Sequence, residues 1–302
     1  MSAATPWVNP IVKRGTAAGA LWEVTPFVFK GRLYRLENIK ETDITGDPDF
    51  QHHFREDGFR IRDLAANRVV SIPLLNHYFA IAFVWQDRVH VYAGNYGETE
   101  PWWHIREIVH LSSTDLITWT APEVVIRSER GERLFNTAVC WDGRRFVLLY
   151  ETDDKRWPAF TFKYCAGPDL THFERLPNAL YGVDKYVGGP ALYYEGDWYY
   201  TLYLQSLGGG TYETRVTRSR DLVTWHDAPA GRAFLPYDPT RRPDPVHHPD
   251  VYERNASDAE LCEWQGKTLI YFNGGNQLGV CDLQWADYDG TPRQLLEAFF
   301  AP

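Results

Sequence analysis

A run of apolar residues, a turn at Gly or Asp, and a second run rich in aromatic residues recur five times along this chain. The first copy spans residues 26–34, and the turn residues of the five copies are Gly31, Asp87, Gly143, Gly196 and Gly266. Successive turns are 56, 56, 53 and 70 residues apart, which is enough for four strands with short connections. The pattern therefore predicts an all-β chain of five sheets, each with four antiparallel strands, arranged as a five-bladed β-propeller.

A second repeat, built around an Asp-Leu pair, accompanies the first. It occurs at residues 113–119, 167–173 and 219–225, and each copy ends in Trp or Phe. The Asp-Leu pair predicts a tight turn between two outer strands, with the aromatic residue as the first buried residue of the returning strand. The last sheet is expected to end in two strands of its own, at residues 279–285 and 294–300, so that neither terminal sheet exchanges a strand.

The composition narrows the class of protein. The 302 residues contain no Ser/Gly-rich or Pro-rich linker, which predicts a single domain over residues 1–302. The net charge of −9 argues against a nucleic-acid partner, since such binding depends on clustered Lys and Arg. No apolar run approaches the roughly 20 residues that span a bilayer, and the first residues do not read as a signal peptide. We therefore expect no membrane partner and a cytoplasmic location. The four Cys match no zinc spacing and are interpreted as buried free thiols.

Acids and amides occur where the innermost strands of the predicted sheets begin and where the second strands end. In a propeller these positions adjoin on one face and point toward the central axis. They are occupied by Glu23, Glu37, Asn136, Glu151 and Asp258, among others. Glycoside cleavage requires such groups: one carboxyl must protonate the leaving oxygen, and an ionised carboxylate must activate water or attack the anomeric carbon. The alternative is that these carboxylates solvate the channel mouth or pair with Arg35, Lys185 or Arg254.

The chain resembles the five-bladed β-propeller glycosidases, the group that includes glycoside hydrolase families 43, 32, 68, 117 and 130. The resemblance spans residues 22–300 and is carried by the Asp-Leu turns, by the Gly-Pro-Ala-Leu sequence at residues 189–192 and by the carboxylates at the sheet mouths. It implies a glycosidase. Family 43 places its base on the first blade as an Asp, usually before Pro, whereas this chain has Glu23 there, and the signatures of families 32 and 68 are absent. A divergent member is therefore expected, and the resemblance assigns neither acid nor base.

We predict that Glu23, Glu151 and Asp258 are the catalytic carboxylates, with Glu23 facing Asp258 and Glu151 on the opposite side of the axis. The residues predicted to contact the substrate are Glu37, Asn136, Lys185, Tyr186, Gln205, His248, Asn255, Glu260, Asn273 and Gln277. The insertions at residues 94–106 and 227–257 are expected to enclose the pocket. An enclosed pocket predicts exo-action on a short oligosaccharide or small glycoside.

No cofactor is expected. The adjacent His247 and His248 do not form a metal motif, so a divalent ion would need a further ligand such as Asp250 or Asp258. Two other functions stay open. One is a non-catalytic carbohydrate-binding propeller, and the other is a glycoside phosphorylase, which would need several Arg, Lys or His around its phosphate.

Overall fold

The computed structural model describes residues 6–19, 21–39, 57–96, 104–158, 160–276 and 280–301. Within these ranges the chain forms strands and one short helix. The elements are β1 (Val12–Ala18), β2 (Val24–Phe29), β3 (Arg32–Ile39), β4 (Gly58–Asp63), β5 (Arg68–Leu75), β6 (His77–Trp85), β7 (Arg88–Asn95), β8 (Glu107–Ser113), β9 (Glu123–Arg127), β10 (Leu134–Trp141), β11 (Phe146–Thr152), β12 (Thr161–Gly167), β13 (Glu174–Tyr181), β14 (Val187–Glu195), β15 (Trp198–Gly208), β16 (Thr211–Ser219), β17 (Trp225–Asp227), β18 (Asn255–Trp264), β19 (Lys267–Gly275), β20 (Cys281–Tyr288) and α1 (Pro292–Ala298).

The strands associate in antiparallel groups of four. β2-β3-β4-β5, β6-β7-β8-β9 and β10-β11-β12-β13 are separate sheets. β14 to β17 form another group, and β18, β19, β20 and β1 form the next, with a short parallel pairing of β16 and β18 joining the two. The first strands of these groups contact one another in the cyclic order β2, β6, β10, β14, β18 and back to β2. The predicted all-β architecture of four-stranded antiparallel sheets is therefore confirmed.

The last group is completed by the N-terminal strand, so the expectation that neither terminal sheet exchanges a strand was wrong. β1 pairs antiparallel with β20, with Val12 opposite Asp287 and Thr16 opposite Gln284. This pairing ties the start of the chain to its end, and it covers an edge of β20 that would otherwise present unpaired backbone groups.

A final strand was expected at residues 294–300, but residues 292–298 form helix α1 instead. Thr291 accepts a hydrogen bond from the backbone N–H of Gln294, whose side chain accepts one from the N–H of Thr291 in return. This reciprocal capping box, with Pro292 in the first turn, favours a helix. Leu295 and Leu296 are fully buried in the core between the groups that begin with β14 and β18.

The Asp-Leu turns make contacts between neighbouring sheets. In the β8–β9 connection, Oδ1 of Asp115 accepts the two N–H groups that follow Leu116, and Ser113 Oγ accepts that of Leu116 itself. Leu116 is buried, whereas Trp119 is half-buried and donates its Nε1–H to Ser71 of the preceding sheet at 3.3 Å. The turn was predicted correctly, but its buried residue is the Leu, and the aromatic ring packs toward the neighbouring sheet.

Two composition-based expectations concern burial and membranes. Cys140, Cys165, Cys262 and Cys281 are buried and unbridged, as predicted. No helix among the described residues is both long and apolar enough to cross a bilayer.

Candidate active site

Four of the first strands are irregular where they begin. The antiparallel register shifts between Tyr78 and Ile81 in β6, and at corresponding places in β10, β14 and β18. The backbone has a positive φ of 53° at Phe79, 51° at Gly189 and 53° at Asp258. Such bulges break the two-residue alternation of a strand and redirect side chains. Residues at the starts of these strands line one shared cavity.

A cavity of about 180 Å³, hereafter the axial cavity, opens at these strand starts. Its polar side chains are Glu23, Asn136, Glu151, Asp258 and Asn273. Its aromatic side chains are Trp22, Tyr78, Phe79, Phe135, Phe160 and Tyr186. The structure thus brings together the three carboxylates singled out from the sequence and three of the predicted substrate contacts, Asn136, Tyr186 and Asn273.

Asn136 connects two of the carboxylates. Its Nδ2 lies 3.4 Å from Oε1 of Glu23 and 3.4 Å from Oε2 of Glu151. A side-chain amide nitrogen carries two hydrogens and can donate to both. Glu23, at the start of β2, and Glu151, near the end of β11, therefore face the same small volume from different sheets.

Gly189 separates the other pair. Its N–H donates to Oε2 of Glu151 at 3.0 Å, and a Cβ built on it would lie 1.9 Å from Oδ1 of Asp258. The carboxylates of Glu151 and Asp258 therefore pack against one backbone unit. A positive φ together with this close approach restricts the position to glycine.

Burial dominates the electrostatics of the axial cavity. It raises the pKa of Glu151 to about 8, against the hydrogen bonds from Gly189 and Asn136, and the nearby charge of Asp258 raises that pKa further. Burial also raises the pKa of Asp258, opposed by hydrogen bonds from Ser257 and Asn273. At neutral pH the Glu151 carboxyl is accordingly held mostly protonated, so it has a proton to give.

Glu260 lies deeper along the axis. With Glu23 and Asp258 it lines a constriction of about 20 Å³. Glu260 also lines a wider cavity of about 440 Å³, hereafter the lower cavity. The hydroxyl of Tyr193 donates to Glu260 at 2.8 Å. Burial raises the pKa of Glu260 to about 8, and the charge of Asp258 contributes. The residue is therefore placed beneath the axial cavity and not among its lining residues.

Five of the predicted substrate contacts lie elsewhere: Glu37, Lys185, Gln205, His248 and Asn255 are absent from the lining of the axial cavity. Lys185 donates to Asp227 at 2.7 Å, and Nε2 of His248 is 3.9 Å from Asp282. Asn255 is fully buried and donates to the carbonyl of Asn273.

Glu37 and Gln205 show why position in a strand does not by itself place a side chain at the cavity. Glu37 lies opposite Arg60 in the β3–β4 pair, so its side chain meets neighbouring side chains across the sheet face. Gln205 is likewise paired within its sheet, opposite Val187 and Glu213. Gln277 and residues 97–103 of the insertion at 94–106 lie outside the described residues.

The connection from β17 to β18 does not enclose the cavity as expected, since none of residues 227–257 lines it. It holds β1 instead: Lys13 pairs with Glu253 at 2.5 Å, and Thr16 donates to the carbonyl of Pro243 at 2.8 Å. The described walls of the axial cavity are aromatic side chains that sequence reasoning missed, such as Trp22 and Phe135. Both immediately precede a polar strand-start residue, which is the sequence signal that would have identified them.

No cluster of three or more His, Cys, Asp or Glu suited to a metal ion occurs in the part of the chain that the structure describes. Nδ1 of His247 contacts Asp244 at 2.7 Å. His247 therefore contacts an acid of its own loop, and His248 lies near an acid of β20.

Comparisons with known proteins place the fold. No protein-family model and no curated protein sequence matches the chain. A solved structure described as a glycoside hydrolase superposes with a TM-score of 0.67 at 13% identity, over 96% of this chain and 91% of that one. A thermostable family-43 glycoside hydrolase gives 0.63 at 8% identity, over 91% of each chain. The α-L-arabinofuranosidase of Podospora anserina, in complex with cellotriose, gives 0.63 at 10%, over 92% and 96%. The resemblance to this group is confirmed at the level of the fold, with the divergence in sequence that was expected.

Proposed function

We propose that this protein is a glycoside hydrolase in which Glu23, Glu151 and Asp258 act on a sugar held in the axial cavity. The observation that carries the proposal is the convergence of three carboxylates from three sheets, one of them with a pKa raised to about 8. Paired carboxyl groups held in different protonation states are what glycosidic cleavage needs.

The proposal includes the architecture. The cyclic contacts of β2, β6, β10, β14 and β18 support five blades around one axis, closed by β1, in a single domain over residues 1–302. The solved structures with the same fold include glycoside hydrolases. In such a ring the axial cavity is the place where side chains from every blade can meet.

Glu151 is the proposed general acid. Its buried carboxyl retains a proton at neutral pH and transfers it to the glycosidic oxygen as the bond breaks. Glu23 accepts a hydrogen bond from Asn136. It is the group proposed to activate water or attack the anomeric carbon. Burial keeps the pKa of Glu151 high, and the charge of Asp258, on the other side of Gly189, adds to this effect.

The size of the cavity supports action at a chain end. Ligand pockets commonly occupy about 300–1,000 Å³, whereas the axial cavity measures about 180 Å³. It is suited to one sugar ring among aromatic side chains, whose faces stack on apolar sugar faces. We therefore propose exo-action on short oligosaccharides or small glycosides.

The lining of the cavity favours hydrolysis over phosphorolysis. None of the described residues that line it is Arg, Lys or His, so an attacking phosphate would lack a counter-charge. A non-catalytic sugar-binding site would not require several buried carboxyls, each of which disfavours folding when it ionises.

The test is a screen of the purified protein against aryl glycosides, followed by Glu151→Gln on the best substrate. We expect turnover to fall by about 10²–10⁴-fold on a poor leaving group. The loss should be much smaller on a dinitrophenyl glycoside, because that leaving group needs no proton. Glu195→Gln is the matched control, since Glu195 is also an acid with a raised pKa but lines only the lower cavity.

The same variant has a pH signature. Activity of the wild type should fall as pH rises through about 8, the pKa of Glu151. Because this folded-state pKa is raised above the unfolded value, Glu151 contributes most to stability below about pH 4.5, and the contribution is lost as pH rises to about 8. Glu151→Gln should therefore be more stable than the wild type at pH 8–9, by at least about 1 kcal/mol, although it turns over poor leaving groups slowly. An equal loss of activity on both leaving groups would contradict the general-acid role.

A further inference from the structure

A second cavity, which we name the arginine cavity, lies between the sheet β2-β3-β4-β5 and the group formed by β18, β19, β20 and β1. Its volume is about 530 Å³. It is lined on one side by Arg35, Glu37, Arg60 and Arg62 and on the other by residues that include Tyr271 and Trp285. It shares no lining residue with the axial cavity.

The charges in the arginine cavity do not balance. Glu37 is fully buried, and its carboxylate accepts hydrogen bonds from Nε of Arg35 at 2.9 Å, Nε of Arg60 at 2.5 Å and Nε of Arg62 at 3.0 Å. It is the only acid among the described residues that line the cavity. Among the described residues that line the cavity, three guanidinium groups therefore surround one carboxylate, which is an excess of two positive charges in a partly buried space.

The guanidinium groups have hydrogen-bond donors beyond those that Glu37 occupies. Each carries five N–H groups in a planar fork. In the described contacts Arg60 uses its Nε, and Arg62 uses its Nε together with Nη1, which is 3.3 Å from Asn67. The side chains of Arg60 and Arg62 are 23% and 20% exposed, so their remaining donors are accessible from the cavity. Paired Arg forks are suited to bidentate binding of an oxyanion.

The opposite wall suits the body of an organic ligand. Tyr271 lies under the guanidinium of Arg35, which is 5.2 Å from its ring centroid, and both Tyr271 and Trp285 are half-buried. Leu64 and Leu269 complete an apolar surface. The cavity is much larger than an inorganic anion requires, so its shape fits an anionic group attached to a small ring.

We propose that the arginine cavity binds a small phosphate monoester, of the size of a sugar phosphate, with its phosphate on Arg60 and Arg62 and its ring against Tyr271 and Trp285. A phosphate monoester carries about −1.5 to −2 charges at pH 7, which matches the excess of two. A single carboxylate would leave one positive charge without a partner. Because the two walls belong to the groups at the start and end of the ring, the ligand would join them and stabilise the closed ring.

The experiment is calorimetry and thermal unfolding of the full chain with four probes at constant ionic strength: glucose 6-phosphate, inorganic phosphate, glucuronate and glucose. We expect saturable binding and a rise in melting temperature, strongest with glucose 6-phosphate, weaker with inorganic phosphate and glucuronate, and absent with glucose. Arg60→Gln and Arg62→Gln should each weaken binding about ten-fold or more. Arg32→Gln is the control, since it removes a charge from the same sheet, but Arg32 pairs with Asp63 outside the cavity.

Three results would overturn the proposal. The first is no saturable binding of glucose 6-phosphate or inorganic phosphate up to about 10 mM. The second is binding that survives in both Arg60→Gln and Arg62→Gln, which would put the anion elsewhere. The third is a preference for glucuronate over glucose 6-phosphate, which would assign the site to a carboxylate. Each of these readouts is independent of glycosidase activity.

Discussion

Gly189 shows how a single residue sets the distance between two functional groups. Its backbone donates to Glu151 on one side, and its missing side chain leaves room for Asp258 on the other. If Asp258 were displaced, Glu151 would lose a charge that helps to keep it protonated. The geometry of the candidate acid thus depends on a residue with no chemistry of its own.

Gly189→Ala should therefore reduce activity by more than its loss of stability would explain. The new Cβ must push Asp258 away. The backbone at this position also has a positive φ, which is unfavourable for Ala. Gly208→Ala is the matched control, because Gly208 has a φ of +86° with nothing within 4 Å of a built Cβ. Both variants should lose about 1 kcal/mol of stability from the backbone, measured by urea unfolding. Only Gly189→Ala should lower kcat and shift the alkaline limb of the pH profile to lower pH; equal kinetics for the two variants would contradict this role.

At the scale of elements, the Asp-Leu turn joins sheets as well as strands. The repeated Leu residues, Leu116, Leu170 and Leu222, are all buried. The hydroxyl of Tyr92 in the preceding sheet donates to the carbonyl of Leu170 at 2.7 Å, and Trp225 stacks on Tyr164 with ring centroids 5.2 Å apart. Each copy of the turn therefore contacts the sheet before it.

Leu222→Ala tests this role. Leu222 is fully buried in the core cluster between the third and fourth groups, so its truncation should cost about 2–5 kcal/mol. The neighbouring Val223 is 52% exposed in the same turn, and Val223→Ala should stay within about 0.5 kcal/mol of the wild type. Chemical denaturation of both variants gives the comparison. Similar stabilities for the two would mean that the turn does not carry the contact between sheets.

At the scale of the whole molecule, the N-terminal strand completes the last group of strands. Besides pairing with β20, β1 is held by Glu253 and Pro243 of the long connection. The first and last groups also share a small apolar cluster around Leu21, Val24 and Leu283, next to the arginine cavity. The junction between these two groups thus combines apolar packing with polar contacts.

Removal of residues 2–19 should accordingly open the ring. It leaves the edge of β20 unpaired, and such edges promote aggregation. We expect a lower melting temperature and association in sedimentation velocity experiments. A variant that lacks only residues 2–5, and so retains β1, should behave as the wild type. A truncated protein without β1 that stays monomeric and equally stable would show that another segment completes the last group.

The sequence by itself determined the sheet architecture and the three carboxylates of the axial cavity. The turn residues such as Gly31 and Gly266 and the Asp-Leu pairs specify local hairpins, and local turn chemistry can be recognised along the chain. Glu23, Glu151 and Asp258 were identified because strand starts and ends gather on one face. These are short-range signals, so they are present in the order of the residues.

Only the tertiary structure decided which side chains face the axis and what closes the ring. The bulges at Phe79, Gly189 and Asp258 alter the alternation of their strands. The second-strand residues Glu37 and Glu151 also differ in surroundings, since Glu37 contacts three Arg side chains whereas Glu151 lines the axial cavity. The pairing of β1 with β20 joins residues far apart in the chain, for which no local signal exists. Helix α1 differs from these cases, because its capping box is a local signal that the sequence carries. The physical reason for each difference is that direction and long-range pairing depend on neighbours that the sequence order does not reveal.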